Sequence, residues 1–267
     1  MRCWLFLLAL ALAQASAAEK KLAVTADEVI SRNVAARGGL EAWRKVNTLV
    51  YLGHLERDDL KSAARVPFVL QMKRPNLTRF EVKEQFNQYT RIFDGQHGWR
   101  IRPGSDGLPQ EQSFSANEVG FARLEYVVDS PLIDYKAKGV TAGLDGIDRL
   151  EGGRRAYRLS LTLPGGAERK AWIDVKTNLD VRYDRPATSP LAPGKPVSIY
   201  YSDFHTEGGV LIPHNIVTTT DKLVIEKVLV NPQLEALAFA PPPRPMRRGG
   251  DSRVRIPATA SAAGTGH

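Results

Sequence analysis

From residue 46 onward the sequence adopts a period of two, in run after run of alternating apolar and polar side chains, each closed by a turn signal. Val66, Phe68, Leu70 and Met72 share one face of an extended segment while Gln71 and Lys73 take the other. Thr78, Phe80 and Val82 alternate in the same way with Arg79, Glu81 and Lys83. Residues 89–93, the turn Asp94-Gly95 and residues 98–101 read as a hairpin, with Trp99 and Ile101 on one side and Arg100 and Arg102 on the other. The pattern returns at Tyr157, Leu159, Leu161 and Leu163, then at 169–175, 179–183, 197–204, 211–219 and 223–230. Pro164-Gly165-Gly166, Thr177-Asn178, the Pro-rich stretch 186–196 and Gly208-Gly209 separate these runs. Roughly ten strands joined mostly by short turns predict a mainly β fold with some α: one large antiparallel sheet that curls on itself to bury its apolar face.

Two helical signals interrupt the strands. Thr25-Ala26-Asp27-Glu28 is a capping box, Val29, Ile30 and Val34 give the helix an apolar side, and Gly38-Gly39 stops it before a short turn at 40–45 bearing Trp43. Ser115-Ala116-Asn117-Glu118 is a second capping box, followed by Val119, Phe121, Leu124, Val127 and Val128 at helical spacing up to Pro131, so a helix is expected over 116–129. Such helices either pack permanently into the concave sheet face as core or close over a cavity that holds an apolar ligand. Strand alternation assigns the concave lining to Phe68, Leu70, Phe80, Trp99, Ile101, Leu159 and Leu161, and the lid contacts to Phe121, Leu124 and Val128.

The chain's ends carry different instructions. Arg2, an apolar run over 4–13 and the small residues Ala15-Ser16-Ala17 form a secretory signal over 1–17, too short for a stable bilayer span, and no later window reaches the ~20 apolar residues of a membrane helix. Cys3 is the single cysteine and lies within that signal, so a mature chain has no disulfide, no thiol nucleophile and no cysteine metal ligand. The net charge of +8 is concentrated at the far end: residues 18–240 carry 31 basic and 28 acidic side chains, the ordinary balance of a solvated surface and no nucleic-acid footprint. Residues 241–267, rich in Pro, Arg, Gly and Ala, have too few apolar groups to order and read as a disordered basic tail. That tail is either a solvated linker or a contact for anionic lipid or an acidic partner.

Catalytic patterns are missing. His54, His97, His205 and His214 stand apart with no metal-ligand spacing, Gly-x-Ser-x-Gly and phosphate-cradling glycine loops do not occur, and Asp203 beside His205 has no nucleophile near it in sequence. The expectation is a binding protein, with no catalytic residue, no metal and no cofactor. Asn76-Leu77-Thr78 matches a glycosylation sequon, which a chain with a bacterial-looking signal has no use for.

The sequence resembles the LolA-like, outer-membrane lipoprotein-sorting family of periplasmic carriers. The likeness rests on Arg37-Gly38-Gly39-Leu40 before Trp43; on Phe93-Asp94-Gly95 followed by Gly98-Trp99; on Ala171-Trp172-Ile173-Asp174 with Thr177-Asn178-Leu179; on Tyr201-Ser202-Asp203-Phe204 with Gly208-Gly209-Val210-Leu211-Ile212-Pro213-His214; and on Asn231-Pro232 before Phe239. The resemblance implies an unclosed β-barrel over 18–240 with helices as a lid, a hydrophobic cavity for lipid or the acyl chain of a lipoprotein, a periplasmic location and a monomer without cofactor. It also leaves open an envelope sensor or scaffold that uses the same barrel to bind a protein partner.

Export is expected to leave a mature amino terminus at Ala18 or Glu19. Intact-mass measurement of envelope-located protein checks this; a mass that retains residues 1–17, or an added diacylglycerol, contradicts it.

Overall fold

The computed structural model describes residues 24–56, 65–85, 87–125, 127–187, 196–219 and 221–241. The expected signal over 1–17 lies outside the described residues, as does the expected tail beyond residue 241. The chain begins with helices α1 (Ala26–Ala36) and α2 (Leu40–Arg44) and then lays down strands β1 (Thr48–Glu56), β2 (Val66–Lys73), β3 (Leu77–Glu84), β4 (Asn87–Phe93), β5 (Gly98–Pro103) and β6 (Pro109–Ser113). Helix α3 (Ala116–Glu125) leads to β7 (Thr141–Arg149), β8 (Arg155–Leu163), β9 (Ala167–Asp174), β10 (Asp180–Pro186), β11 (Pro196–Glu207), β12 (Val210–Val217) and β13 (Lys222–Val230).

Among the described residues the thirteen strands form one antiparallel sheet in the order β6-β5-β4-β3-β2-β1-β13-β12-β11-β10-β9-β8-β7. It is two meanders joined at a seam: the first runs outward from β1 to the edge strand β6, the second runs inward from the edge strand β7 to β13, and β13 pairs with β1. The segment between β6 and β7 therefore links the two free edges of an open sheet. In a flat sheet β5 and β10, eight places apart, would be separated by about 38 Å. Arg100 of β5 and Arg185 of β10 nevertheless border one cavity, so the sheet is strongly curled and its edge-to-edge connection crosses the concave side.

The period-two runs mark ten of the thirteen strands; β1, just after the change of period at residue 46, and β6 and β7 are the additions. Pro109–Ser113 contains no large apolar residue and is exposed throughout, as an edge strand with a partner on one side can be. Thr141–Arg149 holds Gly143, Asp145, Gly146 and Asp148 and bulges between Leu144 and Gly146 against β8, which breaks the alternation that sequence reading needs.

The helices cover one part of the concave face. On α1, whose Thr25/Glu28 capping box forms as expected, Val29 and Ile30 are buried in a cluster with Leu132, Leu159, Leu161 and Ile173. Trp43 of α2 joins the neighbouring cluster of Leu49, Phe68, Ile133 and Ile212. The corner between α1 and α2 is bolted to the sheet. Arg37 Nη1 lies 3.2 Å from Asp180 Oδ2 with both side chains almost fully buried, and its guanidinium sits 4.9 Å from the Trp43 ring centre. The Arg37 carbonyl accepts from Trp43 Nε1 at 2.9 Å and from the Leu211 amide at 3.0 Å. Asn33 Nδ2 donates to the same Asp180 carboxylate at 3.2 Å.

Gly38 makes this corner possible. Its φ of +103° is a left-handed conformation, and a Cβ there would lie 2.5 Å from the Gly209 carbonyl oxygen on the turn that starts β12. Gly39 has φ +87° but open space around it. Gly38→Ala is thus expected to cost about 2–4 kcal/mol, combining backbone strain with a displaced strand, whereas Gly39→Ala costs about 1 kcal/mol. Urea unfolding followed by tryptophan fluorescence separates the two; equal losses would contradict the close approach of Gly38 to β12.

Candidate functional site

The part of the concave face that α1 and α2 leave uncovered is a cleft made of three adjoining chambers. The first, about 300 Å³, lies between the sheet and the crossing segment 121–132, against Tyr51, Leu70, Met72, Tyr183, Tyr201 and Ile216. A second of about 380 Å³ shares Leu70, Met72 and Phe121 with the first and adds Phe80 and Leu223. A third, also about 380 Å³, shares Phe80 and Leu223 with the second and extends to Leu55 and Val82. The floor is thus a run of aliphatic and aromatic side chains from β12 through β3.

Strand register decides which side chains can line it, because residues directly opposite one another share a face. One row runs Tyr51, Leu70, Phe80, Arg91, Arg100, Gln112 from β1 to β6 and faces the cleft. The expected lining residues fall into groups on this basis. Leu70 and Phe80 stand in the cleft row, while Phe68 is buried in the core with its ring centre 5.8 Å from that of Phe80. Leu159 and Leu161 face the concave side but are packed under α1, with 0% and 1% exposure, and line none of the three chambers. Trp99 departs from the expected lining: it lies in the row Arg79, Ile92, Trp99, on the side opposite the cleft row, and lines none of the chambers. Ile101 stands in the row Glu81, Thr90, Ile101 on that same side, yet lines the third chamber together with Thr90. The cause of the departure is the hairpin register Phe93 to Gly98, which turns Arg100 and Arg102 inward where alternation on a strand with two partly apolar faces offered no choice between them.

Helix α3 crosses the cleft. Its Ser115/Glu118 capping box forms, with the Glu118 carboxylate accepting from the Ser115 amide at 2.9 Å. The helix ends at Glu125, earlier than the expected 129, because the chain beyond it is tied elsewhere. Asp129 is buried and accepts from Arg74 Nη2 at 2.5 Å while also pairing with Lys138, and Val128 drops into the core beside it. Of the expected lid residues, Phe121 lines the first and second chambers, Leu124 the first, and Val128 borders the first from its core position after the helix. Glu125 is held by Arg169 at 2.7 Å in a nearly buried pair, Glu118 by Arg100 of β5, and the Phe121 ring lies under the Arg185 guanidinium at 4.6 Å. The carboxyl-terminal end of the crossing segment is therefore anchored in the core, and its amino-terminal turn is held by a partly exposed ion pair and by Phe114, whose amide donates to the Gly98 carbonyl at 2.8 Å.

Polar side chains border the first chamber beside its apolar floor, among them Arg37, Glu125, Asp129, Asp180, Arg185 and three tyrosines. Burial pushes the Tyr51 hydroxyl up to about 12 against the opposing effect of Arg37, and it raises Tyr183 and Tyr201 as well, so all three remain neutral hydroxyls at ordinary pH. Asp203 and His205 do meet, at 2.8 Å, and the His205 ring stacks on His214 with centres 4.3 Å apart, but this cluster lies outside the chambers. Among the described residues no three His, Cys, Asp or Glu side chains gather as a metal site, and no helix is long and apolar enough to cross a membrane. Sequence reading missed Tyr51, Met72, Ile199, Tyr201 and Ile216, and the arginines at 91, 100 and 185. The alternation of Ile199 with Tyr201 was a usable signal; the inward arginines gave none until β5 was in register.

No family model matches the sequence, and no curated protein does. Solved structures do share the fold. A LolA superfamily protein from Nitrosomonas europaea is 13% identical, with 82% of this chain covering 99% of that one at a TM-score of 0.52. A domain assigned to outer-membrane lipoprotein sorting, from Vibrio parahaemolyticus, is 9% identical, with 79% of this chain covering 94% of that one at the same TM-score of 0.52. The architecture is that of a curled antiparallel sheet, not closed into a barrel, with helices on its concave side. It is a LolA-like fold, as the sequence resemblance implied.

The division between packed and open parts of the concave face is directly testable. Leu161→Arg places a charge among Val29, Ile30 and Leu159 and is expected to cost more than about 4 kcal/mol, enough to unfold the chain. Phe80→Glu, at a half-buried position opposite Arg91, is expected to leave a folded chain with a melting temperature within a few degrees of the original. Thermal unfolding by circular dichroism reads both; comparable destabilisation of the two would make the cleft floor ordinary core.

Proposed function

We propose that this protein is a periplasmic carrier or binding protein for lipid or acylated cargo, with acyl chains lying in the concave cleft. The observation that carries the reading is the run of three adjoining chambers on the concave side, whose shared floor of Leu70, Met72, Phe80 and Leu223 is apolar. Each falls at the lower end of the ~300–1,000 Å³ that small-molecule sites occupy. Together they run across neighbouring strands of the sheet, offering a hydrocarbon chain a continuous apolar floor. The likeness of fold to proteins of lipoprotein sorting supports the same reading, and so does the signal-like pattern expected over 1–17.

The physical need for such a cleft is a matter of magnitude. About fifteen methylenes at ~0.8 kcal/mol each make release of one acyl chain into water unfavourable by about 12 kcal/mol, before ordering costs reduce it. A carrier has to offer the chain a comparable apolar surface and then give it up without exposing it. Helix α3 suits that task. Its glycine at 120 weakens the helix by up to about 1 kcal/mol, and opening of the Arg100–Glu118 pair loosens its amino-terminal turn about the anchor of Phe114 on β5, while Glu125 and Asp129 keep the other end in place. The protein's role on this reading is binding and transfer, not catalysis.

Solvent extraction of the purified envelope protein followed by mass spectrometry is expected to release copurified acyl lipid, and amide exchange over 116–125 is expected to slow when lipid is added back. An empty cleft, together with exchange at 116–125 as slow as in β1 and β13 with or without lipid, would overturn the carrier in favour of a closed scaffold that binds a protein partner.

A further inference from the structure

The cleft's second and third chambers combine an apolar floor with a cationic rim. Arg91 and Arg100 stand directly opposite each other on β4 and β5, on the concave face, in the row that continues Leu70 and Phe80. Like charges in directly opposed positions are destabilising. One carboxylate, Glu118, pairs with Arg100. Arg91 forms no ion pair among the described residues. On the facing side of the second chamber, Arg185 comes in from β10, stacked on Phe121, and its Nη1 reaches only the carbonyl of Pro186 at 3.5 Å. Of the acidic residues here, Glu125 is bound to Arg169, and Asp221 lines the third chamber together with Arg91, Arg100 and Arg102. Among the described residues Arg91 and Arg185, which both line the second chamber, are thus left without an ion-pair partner.

Resting on the carrier reading above, we propose that the cargo is an anionic amphiphile whose acid head lies between Arg91 and Arg185 while its acyl chain runs over Leu70, Met72 and Phe80. A guanidinium binds phosphate or carboxylate through charge-assisted hydrogen bonds, which water screens less at the half-buried Arg185 than at the exposed Arg91. The chain supplies affinity and the head supplies register, so that the chain enters one way round. Arg185 adds a link to the lid, because a head group drawn onto its guanidinium also touches the cation that packs on Phe121. Loading and closure of α3 are then one event. Phosphate esters and fatty-acid carboxylates share this chemistry, and the experiment tells them apart.

The test is displacement of an uncharged pyrene-labelled diacylglycerol from the full chain by lipids of equal acyl length, for the original protein and for the double variant Arg91→Gln, Arg185→Gln, with Arg149→Gln on the far edge strand as control. Phosphatidylglycerol is expected to displace the probe at about tenfold lower concentration than phosphatidylcholine in the original protein and in the control. In the double variant the two lipids are expected to compete equally, while the labelled diacylglycerol itself binds as before. Palmitate performing as well as phosphatidylglycerol identifies a carboxylate head as sufficient; phosphatidylglycerol alone showing the preference identifies a phosphate. Equal displacement by charged and zwitterionic lipids, an unchanged preference in the double variant, or competition by inorganic phosphate at lipid concentrations would overturn the proposal while leaving acyl binding in place. A chain that binds no labelled diacylglycerol at all would overturn the carrier reading itself.

Discussion

A sheet of thirteen strands with one apolar face cannot remain flat in water, and everything else in this protein answers that requirement. Curling brings the face round on itself, but the edges β6 and β7 stay unpaired, so the interior is not sealed. Helices α1 and α2 are short, and they fill the part of the trough over β8 and β9 and beside the α1–α2 corner. What remains is spanned by the one stretch of chain that must pass from one free edge to the other. The crossing of α3 is consequently dictated by topology: two outward-to-inward meanders sharing a central seam have their connection at the rims, and its course lies over the opening.

The same constraint explains where charge is tolerated. Arg37 and Asp180 are nearly buried, yet each is satisfied: the carboxylate receives Arg37 and Asn33, and the guanidinium lies on Trp43. Removing either partner leaves the other stranded in apolar surroundings, which is far more damaging than the pair itself is stabilising. Asp129 between Arg74 and Lys138 follows the same logic at the end of the crossing segment. Buried charge in this molecule is spent on fixing the ends of helices and their connections against a sheet that would otherwise offer them only non-directional apolar contact.

Strand identity was legible because a half-buried strand writes its period into the sequence, as at Phe68, Leu70 and Met72. Both capping boxes were legible for a similar reason, being local hydrogen-bond devices with fixed spacing. The residues that carry the family likeness are mostly corners: Gly38 at its close approach to Gly209, Asp174 accepting the amides of Lys176 and Thr177, and Asn231 with φ +55° accepting the Asn47 amide at 2.7 Å. Long-range facts were not legible. Which face of β5 looks inward depends on the register set by its hairpin with β4, and Trp99 attracted the wrong assignment because an aromatic residue suits either side of a covered sheet. The end of α3 at Glu125 depends on Asp129 finding cations from two other segments. Whether Leu161 and Phe80 are core or cleft depends on where α1 comes to rest, which no strand pattern records.

The seam between β1 and β13 has a consequence for how the molecule is made. Residues 222–230 are among the last of the folded body to be synthesised, yet they occupy a central place in the sheet. Until they arrive, β1 and β12 each present an open row of amides and carbonyls, and the two meanders are separate half-sheets with exposed apolar faces. Folding is thus a closure event between positions such as Leu49 and Val230, far apart along the chain, and it completes the structure late. A chain shortened by one strand at this end would lose its keystone, with a cost quite unlike that of trimming β6 from a rim.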